Sequence, residues 1–243
     1  MDRGKEVLEQ ITALTVAYKT PELMNQQMSK FRKFYPDISL IIINNSPLDD
    51  GCTEVLEKLA RKDKNIRLFH TKRNIGHGYG LNVGFKYITT PFAYIFDSDS
   101  IMMVGGIFEA MLKVMKPNVY GCGFVLITGR GGGGTKQVSK NGVVAEGEMY
   151  YLHPLACMIS CDMFWKYPPY NSFGAPFCET MTAIWDTGKA KEMIIDFPVF
   201  KYIHHISGGT RALYGPYESM LKDHDKGDEF EFRANLAKSK QDS

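Results

Sequence analysis

Four short apolar runs, separated by stretches with helical spacing, constrain this chain more than any other feature. Ile11 to Ala17 is apolar and β-branched, Ile38 to Ile43 is nearly all aliphatic, Ile66 to Phe69 is shorter, and Phe92 to Phe96 is rich in aromatics. Continuous runs of this kind read as strands covered on both faces. After the first run, Thr20-Pro21 carries a helix start signal, Thr as N-cap and Pro at the first helical position. Leu23, Gln27/Met28, Phe31 and Phe34 follow as one apolar stripe. A second helix is expected from about Thr53 to Arg61, burying Val55, Leu56 and Leu59. A third carries Leu81, Phe85 and Ile88 behind a glycine-rich entry, Gly76-His77-Gly78-Tyr79-Gly80, whose glycines would let backbone approach a ligand. A fourth follows Gly105-Gly106 and buries Ile107, Met111, Leu112 and Met115. The order is βαβαβαβ. It specifies an α/β fold with a mostly parallel central sheet flanked by helices.

This order also places the polar segments. Segments 18–20, 44–46, 73–78 and 97–99 each follow the carboxyl end of a predicted strand. They therefore gather on one edge, where open α/β sheets bind ligands. Asp97 and Asp99 stand there, directly after Phe96. Alone, such a pair reads as a turn with Asp99 or Ser100 capping the next helix. With three other polar segments converging on it, it reads as a pair that holds a hard divalent cation, and through it a phosphorylated ligand. Two nucleotide folds fit poorly. There is no G-x-x-x-x-G-K-[ST], and Gly76-x-Gly78-x-Gly80 lacks the G-x-G-x-x-G spacing and follows the third strand, not the first.

The length of 243 residues suits one large domain, or one with an appendage. A net charge of +2 gives no global case for nucleic acid or an anionic membrane. No apolar run approaches a membrane span, and the N-terminal residues lack the apolar core of a signal peptide, so no membrane insertion is expected. The five cysteines form no C-x-x-C pair, which fits reduced thiols in a cytoplasmic compartment.

In the second half, Val119 to Ile127 reads as a buried strand. Gly131 to Gly134 are too costly in entropy for a regular element. They read as a hairpin tip in preference to a lid that brings Arg130 and Lys136 to phosphate. Leu155 to Ile159 is another strand, and Trp165, Tyr167 and Tyr170 offer a stacking platform or belong to the core. Glu179 precedes a helix that contains or ends at Asp186. His204 and His205 face opposite ways on a strand, so one at most faces the site, and His205 is preferred. Gly208-Gly209-Thr210 could cradle phosphate, and 217–243 reads as a charged helix or tail.

The ordered set of motifs resembles the inverting family 2 glycosyltransferases and their relatives of GT-A fold. It comprises a strand ending near Ala17-Tyr18, Asn44-Asn45-Ser46 before a helix, Asn74-x-Gly76 with Asn82-x-Gly84, and Asp97-Ser98-Asp99. The resemblance covers about residues 10–210. It implies a single GT-A nucleotide-diphospho-sugar transferase domain over 1–216, with a donor-binding half at about 10–116 and an acceptor half at about 117–216. It further implies donor contacts from Ala17, Tyr18, Asn44, Arg73, Asn74, Gly76 and Asp97. Asp99 would be the main ligand of Mn²⁺ or Mg²⁺, with Asp97 and His205 beside it. Family members commonly carry Asp at the place of Asn44, where it reads uracil; Asn both accepts and donates, so the base stays open, with a UDP-sugar favoured. Glu179 stands in a degraded form of the signature that supplies the catalytic base, and Asp186 is the runner-up. The implied activity is transfer of one sugar to a hydroxyl, on a small glycan or on a hydroxylated base in DNA. A nucleotidyltransferase, or a silent nucleotide-sugar-binding protein, would share the sheet, the acids and the metal.

Overall fold

A computed structural model describes residues 8–130, 132, 134–138, 143–171 and 175–206. The Gly208-Gly209-Thr210 segment, the 217–243 stretch, and Gly131 and Gly133 of the glycine run lie outside the described residues. The first half alternates as its pattern requires: β1 (Ile11–Ala17), α1 (Pro21–Phe34), β2 (Ser39–Asn44), α2 (Gly51–Lys62), β3 (Ile66–His70), α3 (His77–Phe85) and β4 (Phe92–Phe96). Then come β5 (Ser100–Met102), α4 (Ile107–Leu112), β6 (Gly121–Gly129), β7 (Lys136–Gln137) and β8 (Glu148–Ser160). The described chain ends with α5 (Cys161–Phe164), α6 (Cys178–Asp186), α7 (Ala190–Met193), β9 (Ile194–Asp196), a 3-10 turn (Val199–Lys201) and β10 (Ile203–His205).

The main sheet runs in the order β3-β2-β1-β4-β8-β6-β7. Strands β3, β2, β1 and β4 are parallel neighbours. Beyond β4 the sheet turns antiparallel through β8, β6 and β7, while β9 lies parallel to β6. Every residue of β1 is buried, because helices cover both faces. One face packs Met24, Met28 and Phe31 of α1 with Phe108 and Met111 of α4. The other packs Leu14 and Val16 of β1 against Leu81 and Phe85 of α3.

Several local expectations shift. Helix α2 starts at Gly51, because the Asp50 side chain accepts from the Cys52 N–H at 2.8 Å and caps it earlier. Cys52, Thr53 and Leu56 then face inward, and Val55 and Leu59 are only half-buried. Thr20 sits at the N-cap of α1, yet its hydroxyl makes no capping bond. Neither Asp99 nor Ser100 caps a helix: Ser100 opens β5, and α4 begins behind Gly106. The glycines of α3 are packing residues. A Cβ on Gly84 would lie 2.3 Å from Leu14 Cδ1, and one on Gly78 would lie 1.5 Å from the Asn171 carbonyl oxygen. Gly76 alone in that run takes a left-handed φ, +93°, at the helix entry.

Candidate metal and donor site

The acid pair sits in a tight turn at the carboxyl end of β4. Ser100 N–H donates to Asp97 O at 3.0 Å, and Asp97 N–H donates to Leu155 O of β8 at 3.2 Å. Gln27 secures the turn from beneath. Buried in α1, it donates Nε2 to Asp97 O and to Ser100 O, the second at 3.4 Å, and so brackets both ends.

Asp97, Asp99 and His205 each turn one ligand atom to a common point, and these atoms lie within 4.8 Å of one another. Antiparallel pairing sets His205 opposite Ser100. His205 is half-buried and turned to the site, whereas His204 is exposed, as strand alternation requires. His205 Nε2 lies 3.1 Å from Asp99 Oδ1, and Asp99 is only 7% exposed. Burial alone would lower the His205 pKa; the hydrogen bond to Asp99 and the charges of Asp99 and Asp97 outweigh it and raise it. Asp97 Oδ1 is buried and makes no hydrogen bond among the described residues. His77 Nε2 stands 3.4 Å from it, within ion-pair range but not aligned as a hydrogen bond. His153, from β8, brings its ring centroid to 6.4 Å from that of His205. The donor set suits a divalent cation: two carboxylates and an imidazole converge, and the unsatisfied Asp97 oxygen is one that a cation would satisfy.

The neighbouring edge is an asparagine network. Asn45 N–H donates to Ala17 O at 2.8 Å. Its side chain donates to Asn74 Oδ1 at 2.9 Å and accepts from Thr71 Oγ1 and Ile75 N–H, both at 3.0 Å. Asn74 Oδ1 also accepts from Gly76 N–H at 3.0 Å. The ends of β1 and β2 are thereby tied to the loop after β3. Asn44 is fully buried; its amide donates to Thr53 Oγ1 at 2.6 Å and to His70 Nδ1 at 3.1 Å, and its oxygen accepts from Ser46 N–H at 3.0 Å. Tyr18 is half-buried with Lys19 Nζ 5.3 Å from its ring centroid, and Arg73 is exposed on the loop. Ala17, Tyr18, Asn44, Arg73, Asn74, Gly76 and Asp97 thus all stand at the carboxyl edge of the parallel strands. Asn45 was legible as part of the Asn44-Asn45-Ser46 turn but not as its central tie.

The region around α6 is looser. Glu179 is exposed in the first turn of α6, and Asp186, at the end of that helix, pairs with Arg130 Nη2 at 2.9 Å. Lys136 pairs with Glu148 at 2.7 Å. Both cations of the glycine-rich segment are therefore held by acids of α6 and β8, and β6 with β7 forms an antiparallel hairpin. Tyr170 is core, buried and stacked on Phe177 at 4.0 Å, whereas Trp165 is 38% exposed.

A parallel β3-β2-β1-β4 edge bearing an acid pair, extended by antiparallel β8 and β6, is the architecture of GT-A glycosyltransferases. The chain belongs to glycosyl transferase family 2, whose sequence model matches residues 14–167. No curated protein matches it in sequence. Among solved structures it is similar to the mannosyltransferase PcManGT from Pyrobaculum calidifontis in complex with GDP-Man and Mn²⁺, at 17% identity and TM-score 0.60, over 78% of this chain and 55% of that one. It is similar to S. aureus TarS 1–349 at 15% identity and TM-score 0.57, over 94% of this chain and 70% of that one. It is also similar to GalNAc-T7 with UDP, GalNAc and Mn²⁺, at 11% identity and TM-score 0.61, over 82% of this chain and 44% of that one. The chain thus spans about half the length of PcManGT and less than half of GalNAc-T7, and at these identities the likeness is one of fold. No helix among the described residues is long and apolar enough to cross a membrane.

Proposed function

We propose that this chain moves a single sugar from a nucleotide-sugar to a hydroxyl group, using Mn²⁺ or Mg²⁺ held by Asp97, Asp99 and His205. The observation that carries this reading is the convergence of those three side chains at the carboxyl edge of the sheet. PcManGT with GDP-Man and Mn²⁺, and GalNAc-T7 with UDP, GalNAc and Mn²⁺, support it by analogy of fold. A cation bound there supplies Lewis-acid stabilisation of the charge that builds on the departing diphosphate.

The acceptor oxygen attacks the anomeric carbon, and the bond from that carbon to the diphosphate oxygen breaks with its electron pair. Glu179 takes the hydroxyl proton. A single displacement of this kind inverts the anomeric centre. The exposure of Glu179 in the first turn of α6 supports this role, with Asp186 at the other end of that helix as the runner-up. The donor nucleotide lies along Ala17, Tyr18, Arg73, Asn74 and Gly76. Asn44 acts there by fixing the Ser46 turn, because both ends of its amide are engaged. A UDP-sugar is the favoured donor, and a small glycan or a hydroxylated nucleic-acid base is the acceptor. Five free cysteines agree with a cytoplasmic setting.

The test is nucleotide release from a panel of UDP- and GDP-sugars with Mn²⁺, Mg²⁺ or EDTA. Metal-dependent release of one nucleoside diphosphate is expected. Release of pyrophosphate instead would mean nucleotidyl transfer, and tight donor binding with no turnover on any acceptor would mean a binding protein. Near-normal transfer by Glu179→Gln would remove Glu179 as the base.

A further inference from the structure

His153 belongs to no motif in the sequence, yet the fold carries it over the site. The last β8 residue paired with β4 at its carboxyl end is Ala156, opposite Phe96. Beyond it β8 runs past the end of β4, so His153 overhangs the Asp97-Ser98-Asp99 turn. Leu155, two residues on, takes the Asp97 N–H. The strand is irregular here: Pro154 follows, and the β6–β8 register shifts between Gly123 and Val125. Within this kink the Leu155 N–H donates to His153 Nδ1 at 3.2 Å. A backbone N–H can only donate, so Nδ1 is unprotonated and the ring proton sits on Nε2.

The ring is fixed in orientation as well as in tautomer. It meets Tyr151 edge-on, with centroids 6.0 Å apart and planes at 87°, and it lies edge-on to His205. Burial lowers its pKa, against the pull of Asp97 and Asp99. Among the described residues, the Leu155 contact is its one hydrogen bond. The result is an oriented, neutral N–H donor beside the acid pair. It stands outside the trio whose ligand atoms converge. A metal ligand would need a bare ring nitrogen, and a base would need a lone pair facing the acceptor; Nε2–H offers neither. It suits an anionic oxygen lying next to the cation site.

We propose that His153 is a donor-binding residue whose Nε2–H hydrogen-bonds a diphosphate oxygen of the nucleotide-sugar. The inference rests on the donor reading given above. Because charge grows on that diphosphate as the sugar leaves, the bond strengthens during the reaction.

Two variants separate the ring's two nitrogens. Asn in place of His153 keeps an acceptor near the Nδ1 position but loses the distal donor; Gln places an amide N–H near Nε2. Calorimetry would measure Mn²⁺ alone, then UDP or GDP in the presence of Mn²⁺. Expected for His153→Asn is an unchanged Mn²⁺ affinity and nucleoside diphosphate binding weakened by about tenfold or more, as for a hydrogen bond to a charged group. His153→Gln should recover most of that loss. Nucleotide binding by His153→Asn as tight as that of the wild type would overturn the inference alone. So would equal loss of Mn²⁺ binding in both variants, which would make His153 a ligand or a purely structural residue. A wild-type protein that binds neither UDP nor GDP with Mn²⁺ would overturn the donor reading, and this inference with it.

Discussion

At the carboxyl edge of the parallel strands, Asn45 and Asn74 are buried and locked to each other, to the Ala17 carbonyl and to the Ile75 and Gly76 N–H groups. On α6, Glu179 and Asp186 are exposed, and Asp186 meets Arg130 across a surface about half open to solvent. Under the proposed function, the contrast matches what each region would hold. A cation and a diphosphate demand fixed oxygens, because electrostatic stabilisation depends on preorganised geometry. A proton acceptor needs access to a substrate that arrives from outside. The asparagine edge is built from hydrogen bonds that are expensive to leave unmade, and the α6 surface from contacts that contribute little to stability.

That contrast can be broken, beginning with the largest effect. Asp99→Ala removes a carboxylate from the converging trio and the partner of His205. Sugar transfer should fall by at least about a hundredfold, and calorimetry should find Mn²⁺ binding abolished. Gly84→Ala forces a methyl group against Leu14 beneath the donor edge, at an expected cost of about 1–3 kcal/mol in urea unfolding. Gly51→Ala, where a Cβ meets nothing within 4 Å, should cost nothing and serves as the control. Asn74→Ala strips the acceptor from Asn45 and from Gly76 N–H, and about 1–3 kcal/mol should be lost along with weaker nucleotide binding. Arg130→Ala cuts only the exposed pair with Asp186 and should change stability by less than about 1 kcal/mol, with nucleotide affinity untouched. Were Arg130→Ala to destabilise as much as Asn74→Ala, the two sides would not differ in kind.

The acid pair was legible because an apolar run and the carboxylates that end it are contiguous in sequence. His205 was legible because alternation on a strand leaves one of two adjacent histidines facing in. Gln27 and His153 were not. One reaches a turn 70 residues away, and the other depends on a register shift that no local pattern announces. The first half of β8 was missed for a related reason: His153-Pro154 breaks the strand signal in its middle. Helix α2 starts two residues ahead of the expected Thr53 because Asp50 caps it, while Thr53 bonds Asn44 and Pro47 O. The glycines of α3 drew attention as ligand contacts, although what they accommodate is protein.

That last feature bears on how such a chain can be recombined. Asn82 clasps the backbone of Tyr170 from both sides, N–H and C=O, while Asn171 fills the space where a Gly78 side chain would stand. Helix α3 and the Tyr170-Asn171 segment are cut to one another's shape. A chimera that imports the later part of the chain from a relative should therefore be spliced after Asn171, or carry its own α3; a junction placed earlier would bring together two surfaces that were never fitted.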